Sequence, residues 1–255
     1  MLASIPGAAA THALILAAGV GRRLGALQPC EPKAMLDFGG SSLIARHVAI
    51  LHRAGVVSIS VVVGFAAGPL RSALAAMEAR PPVQVIENPD FREGSVVSLW
   101  TGRNVLRSGA PVVLMDADVL YDDRLMGRLL GSTKADCLLL DRDIEPGDEP
   151  VKLCVRDDRI VDFHKRPTAQ HQWHGESVGF FRFTPSSAAE LADRAEGYVA
   201  SGRRAMDYEE PIRDMILASP HDRFGFEDVS GLPWIEIDFP EDVLKARALL
   251  PEMTA

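Results

Sequence analysis

Gly19 and Gly21 follow an apolar run of strand length, Ala13 to Ala18, and lead directly into Arg22 and Arg23, with Pro32 and Lys33 further on. Glycine lets a backbone come close to a ligand, and successive free N–H groups form an anion cradle. The cations beside it add charge to the same end. Read alone, the stretch is equally an ordinary strand-to-helix turn with solvated basic residues. Two other Gly-rich loops fit worse. A dinucleotide fingerprint needs a third glycine where Leu24 stands and an acid after the next strand, which here ends Val63-Gly64-Phe65. A P-loop needs Gly-Lys-Ser/Thr after its spacer, and the chain has none.

Two acidic clusters could serve a phosphate-bound cation. The apolar strand Val112 to Asp116 ends in Asp116-Ala-Asp118, and ligands of open parallel sheets sit outside the carboxyl ends of strands. Carboxylates beside a triphosphate suit Mg²⁺, a hard ion that takes oxygen ligands. We assign Asp118 as a metal ligand; Asp116 reads equally as a turn or cap. Further on, Trp234-Ile-Glu236-Ile-Asp238 puts Glu236 and Asp238 on one face of a short strand. Pro240 then opens a helix with Glu241 and Asp242 in its first turn. Asp238 alone is either a helix cap or a ligand; beside Asp118 the metal reading becomes more specific.

Lys152 sits among Val151, Leu153 and Val155. Burying an ammonium without a partner is costly, so a phosphate would explain it, as would an exposed edge-strand position. Lys165 flanks the same hairpin. Asp207-Tyr208-Glu209-Glu210 is either a solvated helix start or, through cation–π and charge attraction, a site for an ammonium group that Trp173 could join.

The elements that must position these residues alternate. A helix capped at Ser41-Ser42 runs to Arg53; strands follow at 59–63 and 83–87 with a helix at 69–79 between them, then a helix at 96–106 and the strand 112–116. This predicts a parallel sheet covered on both faces. From Ala135 the texture changes to a strand at 137–140, an acidic Gly/Pro turn at 141–150, a hairpin of 151–155 and 160–163, a strand at 178–183 and a helix at 186–201. His47 and His52 are expected at the surface or in packing, and Trp100 in the core.

The chain has 255 residues, 47% of them hydrophobic, and a net charge of −8. That balance argues against nucleic acid and anionic membranes as partners. Cys30, Cys137 and Cys154 form neither a disulfide framework nor a zinc pattern, which fits a reducing cytoplasm; Cys30 falls in the phosphate-loop region, and the others are expected in the core. The start of the chain reads as no signal peptide, and no apolar run reaches membrane-span length.

The run Leu16-Ala-Ala-Gly-Val-Gly-Arg-Arg-Leu24, followed by Pro32-Lys33, resembles the signature of the sugar-nucleotidyltransferase-like (NTP transferase) superfamily. Asn88-Pro-Asp-Phe-Arg-Glu-Gly94-Ser95 with Ser98-Leu-Trp100, then Asp116-Ala-Asp118, the lysine hairpin with His164-Lys165-Arg166, Tyr208-Glu209, and Trp234-x-Glu-x-Asp238 before Pro-Glu-Asp follow in matching order over nearly the whole chain. The phosphocholine/2-aminoethylphosphonate cytidylyltransferase branch is the most similar. Gly94-Ser95 departs from that branch's Asn-Asn or Thr-Asn.

The resemblance implies an α/β fold, a Rossmann-like glycosyltransferase-A type three-layer α/β/α sandwich with a mixed, mainly parallel sheet and a small β-hairpin lobe. It implies one domain, with a nucleotide-binding half at about 12–130 and an acceptor-binding, second metal-site half at about 131–250. Its expected activity is transfer of CMP from CTP to a small phosphorylated or phosphonylated acceptor with Mg²⁺. Lys33, Arg23 and Lys152 would be catalytic. Ala17, Ala18, Gly19, Gly21, Arg22, Arg23, Lys33, Asn88, Ser95 and Asp116 would bind the nucleotide. Asp118, Asp238 and Glu236 would bind the metal, and Lys152, Tyr208, Glu209 and Lys165 the acceptor. Inositol-1-phosphate or sugar-1-phosphate transfer and an inactive nucleotide-binding regulator stay open, as does a homodimer.

Overall fold

The computed structural model describes residues 11–27, 31–77, 82–144, 147, 149–219 and 223–253. Cys30 and the first ten residues, read above for a leader, lie outside this set. The amino-terminal half is built on β1 (His12–Ala17), β2 (Ser58–Val63), β3 (Gln84–Glu87) and β4 (Val112–Asp116). They pair in parallel in the order β4-β1-β2-β3, with Leu14 between Ser60 and Leu114. β1 and β4 are almost wholly buried apolar runs, as strands covered on both faces must be. The crossovers carry α1 (Leu43–Arg53), capped by Ser42 Oγ accepting from Ala45 N–H; α2 (Ala67–Ala76); and α3 (Ser95–Thr101) with α4 (Arg103–Leu106). The single helix predicted over 96–106 is therefore two. Gly102 divides them where a Cβ would stand 2.7 Å from Leu14 Cδ2, so the break lets the backbone press onto β1.

Beyond β4 the chain makes β5 (Val119–Tyr121), α5 (Asp123–Gly131), β6 (Asp136–Asp141), β7 (Lys152–Arg156), β8 (Arg159–His164) and β9 (Trp173–Phe183). There follow α6 (Pro185–Ala200), α7 (Glu209–Ala218), β10 (Phe224–Asp228), β11 (Trp234–Glu236) and α8 (Pro240–Leu249). β9 is antiparallel to both β4 and β6 and extends the sheet to β10-β6-β9-β4-β1-β2-β3. The sheet is thus mixed, with helices on both faces, as expected. The β7–β8 hairpin hangs from the start of β9 and turns at Asp157 and Asp158, both at positive φ. Positive φ at both central residues is the form whose twist suits a two-residue hairpin.

Large apolar clusters fill both faces; Cys137 belongs to one of them, and Cys154 is buried in β7. A smaller cluster joins Leu24, Phe38, Leu43, Leu120, Ile237 and Val243. It lies beneath the separate β5–β11 ladder, which pairs Val119 with Glu236. Burying each such large side chain contributes about 1.5–3 kcal/mol, so this satellite core fixes the ladder against the glycine loop. Among the described residues no helix is long and apolar enough to cross a membrane.

Candidate active site

The carboxyl ends of β1 and β4 open on a cleft of about 500 Å³ whose walls include Ala18, Gly19, Gly21, Arg22, Arg23, Ser95, Asp116, Asp118 and Tyr208. The two glycines work differently. Gly21 sits at φ +63 with Lys33 directly below, where a Cβ would approach Lys33 Cγ to 3.1 Å. Gly19 has no atom within 4 Å of its missing Cβ, so its bareness leaves open space at the cleft. Ala17, at the end of β1, borders a smaller recess with Lys33 and Asp118.

Pro32 leads extended into the single 3-10 turn Lys33–Met35, which aims Lys33 inward. Its Nζ lies 2.9 Å from Asp118 Oδ2 and 2.6 Å from Asp238 Oδ1. Arg23 donates to Asp238 Oδ2 at 2.9 Å and to Glu149 Oε2 at 2.8 Å. The β5–β11 ladder explains the meeting: it starts at Val119 and ends at Glu236, so the residues beside its end, Asp118 and Asp238, emerge together, and Ile237 N–H donates to Asp118 O at 2.9 Å. The helix-cap reading of Asp238 belongs instead to Asp242, whose carboxylate accepts from the N–H groups of Asp238 and Phe239.

Burial disfavours the Lys33 ammonium, but Asp118 and Asp238 outweigh it and hold the charge well above the ordinary lysine range. Burial likewise works against the Asp238 carboxylate, and Lys33 and Arg23 more than reverse that, lowering its pKa. Glu236 is solvent-exposed, and the protein packed behind its carboxyl together with the charges of Asp118 and Asp238 raises its pKa above the usual carboxylate range. Carboxylate oxygens of Asp118, Glu236 and Asp238 all lie within 4.8 Å of one another. An all-oxygen donor set of this size fits a hard divalent cation.

A second, smaller cavity adjoins the cleft, with Asp116 and Tyr208 in the wall of both. Lys165, Ser177, Glu209 and Glu236 also line it. Tyr208 donates its hydroxyl to Asp116 Oδ2 at 2.6 Å. Burial and the neighbouring Asp118, Glu209 and Glu236 raise the Asp116 carboxyl well above the usual range. Glu209 rises to about 7 through burial and Asp207.

Some predicted residues have other work. The Lys152 ammonium is met by the carbonyls of Lys165 (3.0 Å), Gly147 (3.1 Å) and Pro150 (3.4 Å), so it pins the hairpin and its approach loop without an anion. Asn88 is buried behind the cleft, donating to Ser98 Oγ at 3.0 Å and accepting from Asp90 N–H at 2.9 Å. Ser95 lines the cleft, but its Oγ accepts from Tyr208 N–H. Trp173 packs on Phe226 under the Arg142 guanidinium, apart from any ammonium site at Tyr208. Trp100 is half-buried beneath Arg103, and His47 is buried against Tyr121.

Glu149 and Gly179 were missed. Glu149 lies in the turn read only as acidic. Gly179, at φ +77 inside β9, carried a signal: a glycine in a strand often marks close approach, and a Cβ there would collide with Asp116 Oδ2.

The sequence model of the MobA-like NTP transferase domain matches residues 13–172. The CMP-5'-(3-aminopropyl)phosphonate synthase of Streptomyces rubellomurinus is 25% identical over 94% of this chain and 39% of its own length. The 2-aminoethylphosphonate cytidylyltransferase of Lancefieldella rimae is 34% identical over 44% of this chain and 45% of its own. The chain thus spans about half the length, or less, of these curated relatives. Among solved structures, CTP:phosphocholine cytidylyltransferase from Streptococcus pneumoniae superposes with a TM-score of 0.77 at 19% identity, covering 94% of this chain and 99% of that one. The inositol-1-phosphate CTP transferase of T. maritima gives 0.77 at 21% identity, covering 97% and 98%.

Proposed function

The chain belongs to the MobA-like NTP transferase domain family, and on that premise we propose that it moves CMP from CTP to a small phosphorylated or phosphonylated amine, with Mg²⁺. One arrangement carries the reading: beneath a glycine loop, Lys33 and Arg23 stand against Asp118 and Asp238, cations for a polyphosphate facing carboxylates for a metal. The names of the two phosphonate relatives support the acceptor class.

In the reaction an acceptor phosphonate or phosphate oxygen attacks the α-phosphorus of CTP in line. The bond from that phosphorus to the bridging oxygen breaks, and pyrophosphate leaves with the electron pair. No covalent enzyme intermediate is needed; positioning and charge neutralisation suffice. The loop at Gly19 and Gly21, with Arg22 and Arg23, holds the β- and γ-phosphates, and Lys33 offsets charge growing around the α-phosphate. Asp118, Asp238 and Glu236 would hold Mg²⁺, which would supply charge neutralisation on the phosphates. Tyr208 and Glu209 face the acceptor's amine. With Lys152 committed to carbonyls, Lys165 on the wall of the second cavity is the lysine for the acceptor's anionic group.

The test is pyrophosphate release with Mg²⁺, crossing CTP, UTP, ATP, GTP and dTTP with 2-aminoethylphosphonate, phosphocholine, inositol 1-phosphate and glucose 1-phosphate. The expected pair is CTP with an amine-bearing acceptor. Turnover confined to inositol 1-phosphate or a sugar phosphate would overturn the acceptor assignment and keep the mechanism. Nucleotide binding without turnover on any pair would favour a regulator.

A further inference from the structure

The Gly202-Arg203-Arg204 turn has no part in the chemistry above, yet Arg204 joins two segments that the sequence keeps far apart. Its Nε meets Glu93 Oε2 at 2.5 Å, and its NH2 group meets Glu93 Oε1 at 2.9 Å and Asp90 Oδ2 at 2.8 Å. Backbone contacts continue the seam. Gly94 N–H donates to Arg204 O at 2.8 Å, Val96 N–H to Met206 O at 3.1 Å, and Tyr208 N–H to Ser95 Oγ at 2.9 Å. The approach is so close that a Cβ at Gly94 would collide with Met206 O.

The seam has a functional end on each side. Phe91 to Ser95 form one wall of the nucleotide cleft. Met206 leads to Tyr208, whose hydroxyl on Asp116 divides the cleft from the second cavity. Arg204 itself stands behind both cavities, off their walls.

We infer that Arg204 is a positioning residue for the transfer reaction, holding the 90–95 wall on segment 204–208 and thereby fixing Tyr208 between the two substrate sites. This rests on reading the two cavities as nucleotide and acceptor sites. A planar guanidinium can grip one carboxylate with two N–H groups and reach a second, which a lysine ammonium cannot reproduce.

The experiment compares Arg204→Ala and Arg204→Lys with the wild type in the full chain. Arg204→Ala is expected to raise KM for both CTP and acceptor by about 3–10-fold and to lower kcat, since small misplacements in a positioned site cost rate steeply. Arg204→Lys should recover part of each loss. The melting temperature should move by under about 2 °C, because the ion pairs are solvent-accessible. A variant with kcat and both KM values unchanged would overturn the inference, as would a fall in melting temperature alone.

Hydrogen exchange keeps the test independent of turnover. In Arg204→Ala the amides of Gly94, Val96 and Tyr208 should exchange about 2–3-fold faster, a local opening cost of about 0.5 kcal/mol. If the wild type turns over no substrate pair, the proposed function fails while this readout still decides the seam; unchanged exchange then overturns the inference.

Discussion

Lys33 in the amino-terminal half and Lys152 in the β7–β8 hairpin look alike in the sequence, each a lysine set among apolar residues. The structure gives them opposite surroundings. Lys33 is shared by the carboxylates of Asp118 and Asp238, whereas Lys152 is held by backbone carbonyls. Carboxylates can change partners when a multivalent cation arrives, and the ammonium they release can meet phosphate. Backbone carbonyls belong to the chain's path and are exchanged only by moving it. The first lysine is suited to chemistry and the second to architecture.

Substitution at Lys33 should separate the two most strongly. Lys33→Met is expected to lower kcat about 10²–10³-fold, the usual loss when one charge-stabilising donor is removed from a reacting centre. Titration calorimetry without nucleotide should then show Mg²⁺ binding more tightly than in the wild type, since no ammonium competes for Asp118 and Asp238. Weaker Mg²⁺ binding in that variant would show that the carboxylates are not in competition.

Acid sharpens the contrast between the halves. His47 donates Nε2–H to Val119 O at 2.8 Å and is buried, which pushes its pKa down to about 4 from 6.5. The unfolded chain therefore takes up this proton first, and stability falls as pH drops from about 6.5 to about 4, by up to about 3 kcal/mol. Under the lobe, Asp162 accepts from Arg213 and from the N–H groups of Thr168 and Ala169; these outweigh its burial and lower its carboxyl to about 2 from 3.8. Its contribution is complete above about 3.8 and is lost only as pH falls towards 2. Denaturant titrations across pH should show the upper slope removed in His47→Gln, with the lower one intact. An unchanged slope between pH 6.5 and 4 would remove His47 as its source.

The smallest effect belongs to Lys152→Met. Loss of the pin should cost about 1–3 kcal/mol of stability and change kcat by less than about threefold, as for a substitution outside the reacting centre. A fall in kcat as large as that of Lys33→Met would erase the distinction.

Much of this was legible in the sequence because residue type and period spoke together. β1, β2 and β4 are apolar runs ended by glycine or aspartate, α1 has a serine cap, and the hairpin turns on a polar quartet. Lys33, Asp118 and Asp238 were readable because their types suit one chemistry. A short strand at Trp234 was read, but β5 and its pairing with β11 were not, since a three-residue strand gains its identity from a partner far along the chain. α5 showed its stripe in Leu125, Met126, Leu129 and Leu130 but was passed over. The carbonyl partners of Lys152 were not legible, because composition names a side chain's neighbours in sequence and says nothing of carbonyls brought in by the fold. Asn88 and Arg204 likewise owe their roles to tertiary contacts.

Lys33 and Asp238 stand 205 residues apart, and Lys33 and Asp118 only 85. A chain made from its amino end therefore holds its lysine and first aspartate long before β11 and the second aspartate exist. During that interval a growing polypeptide has one of the three carboxylates of the cluster and no ladder to align it. The three carboxylates come together late and at one moment, with the docking of the last strand, so an unfinished copy cannot assemble the cluster.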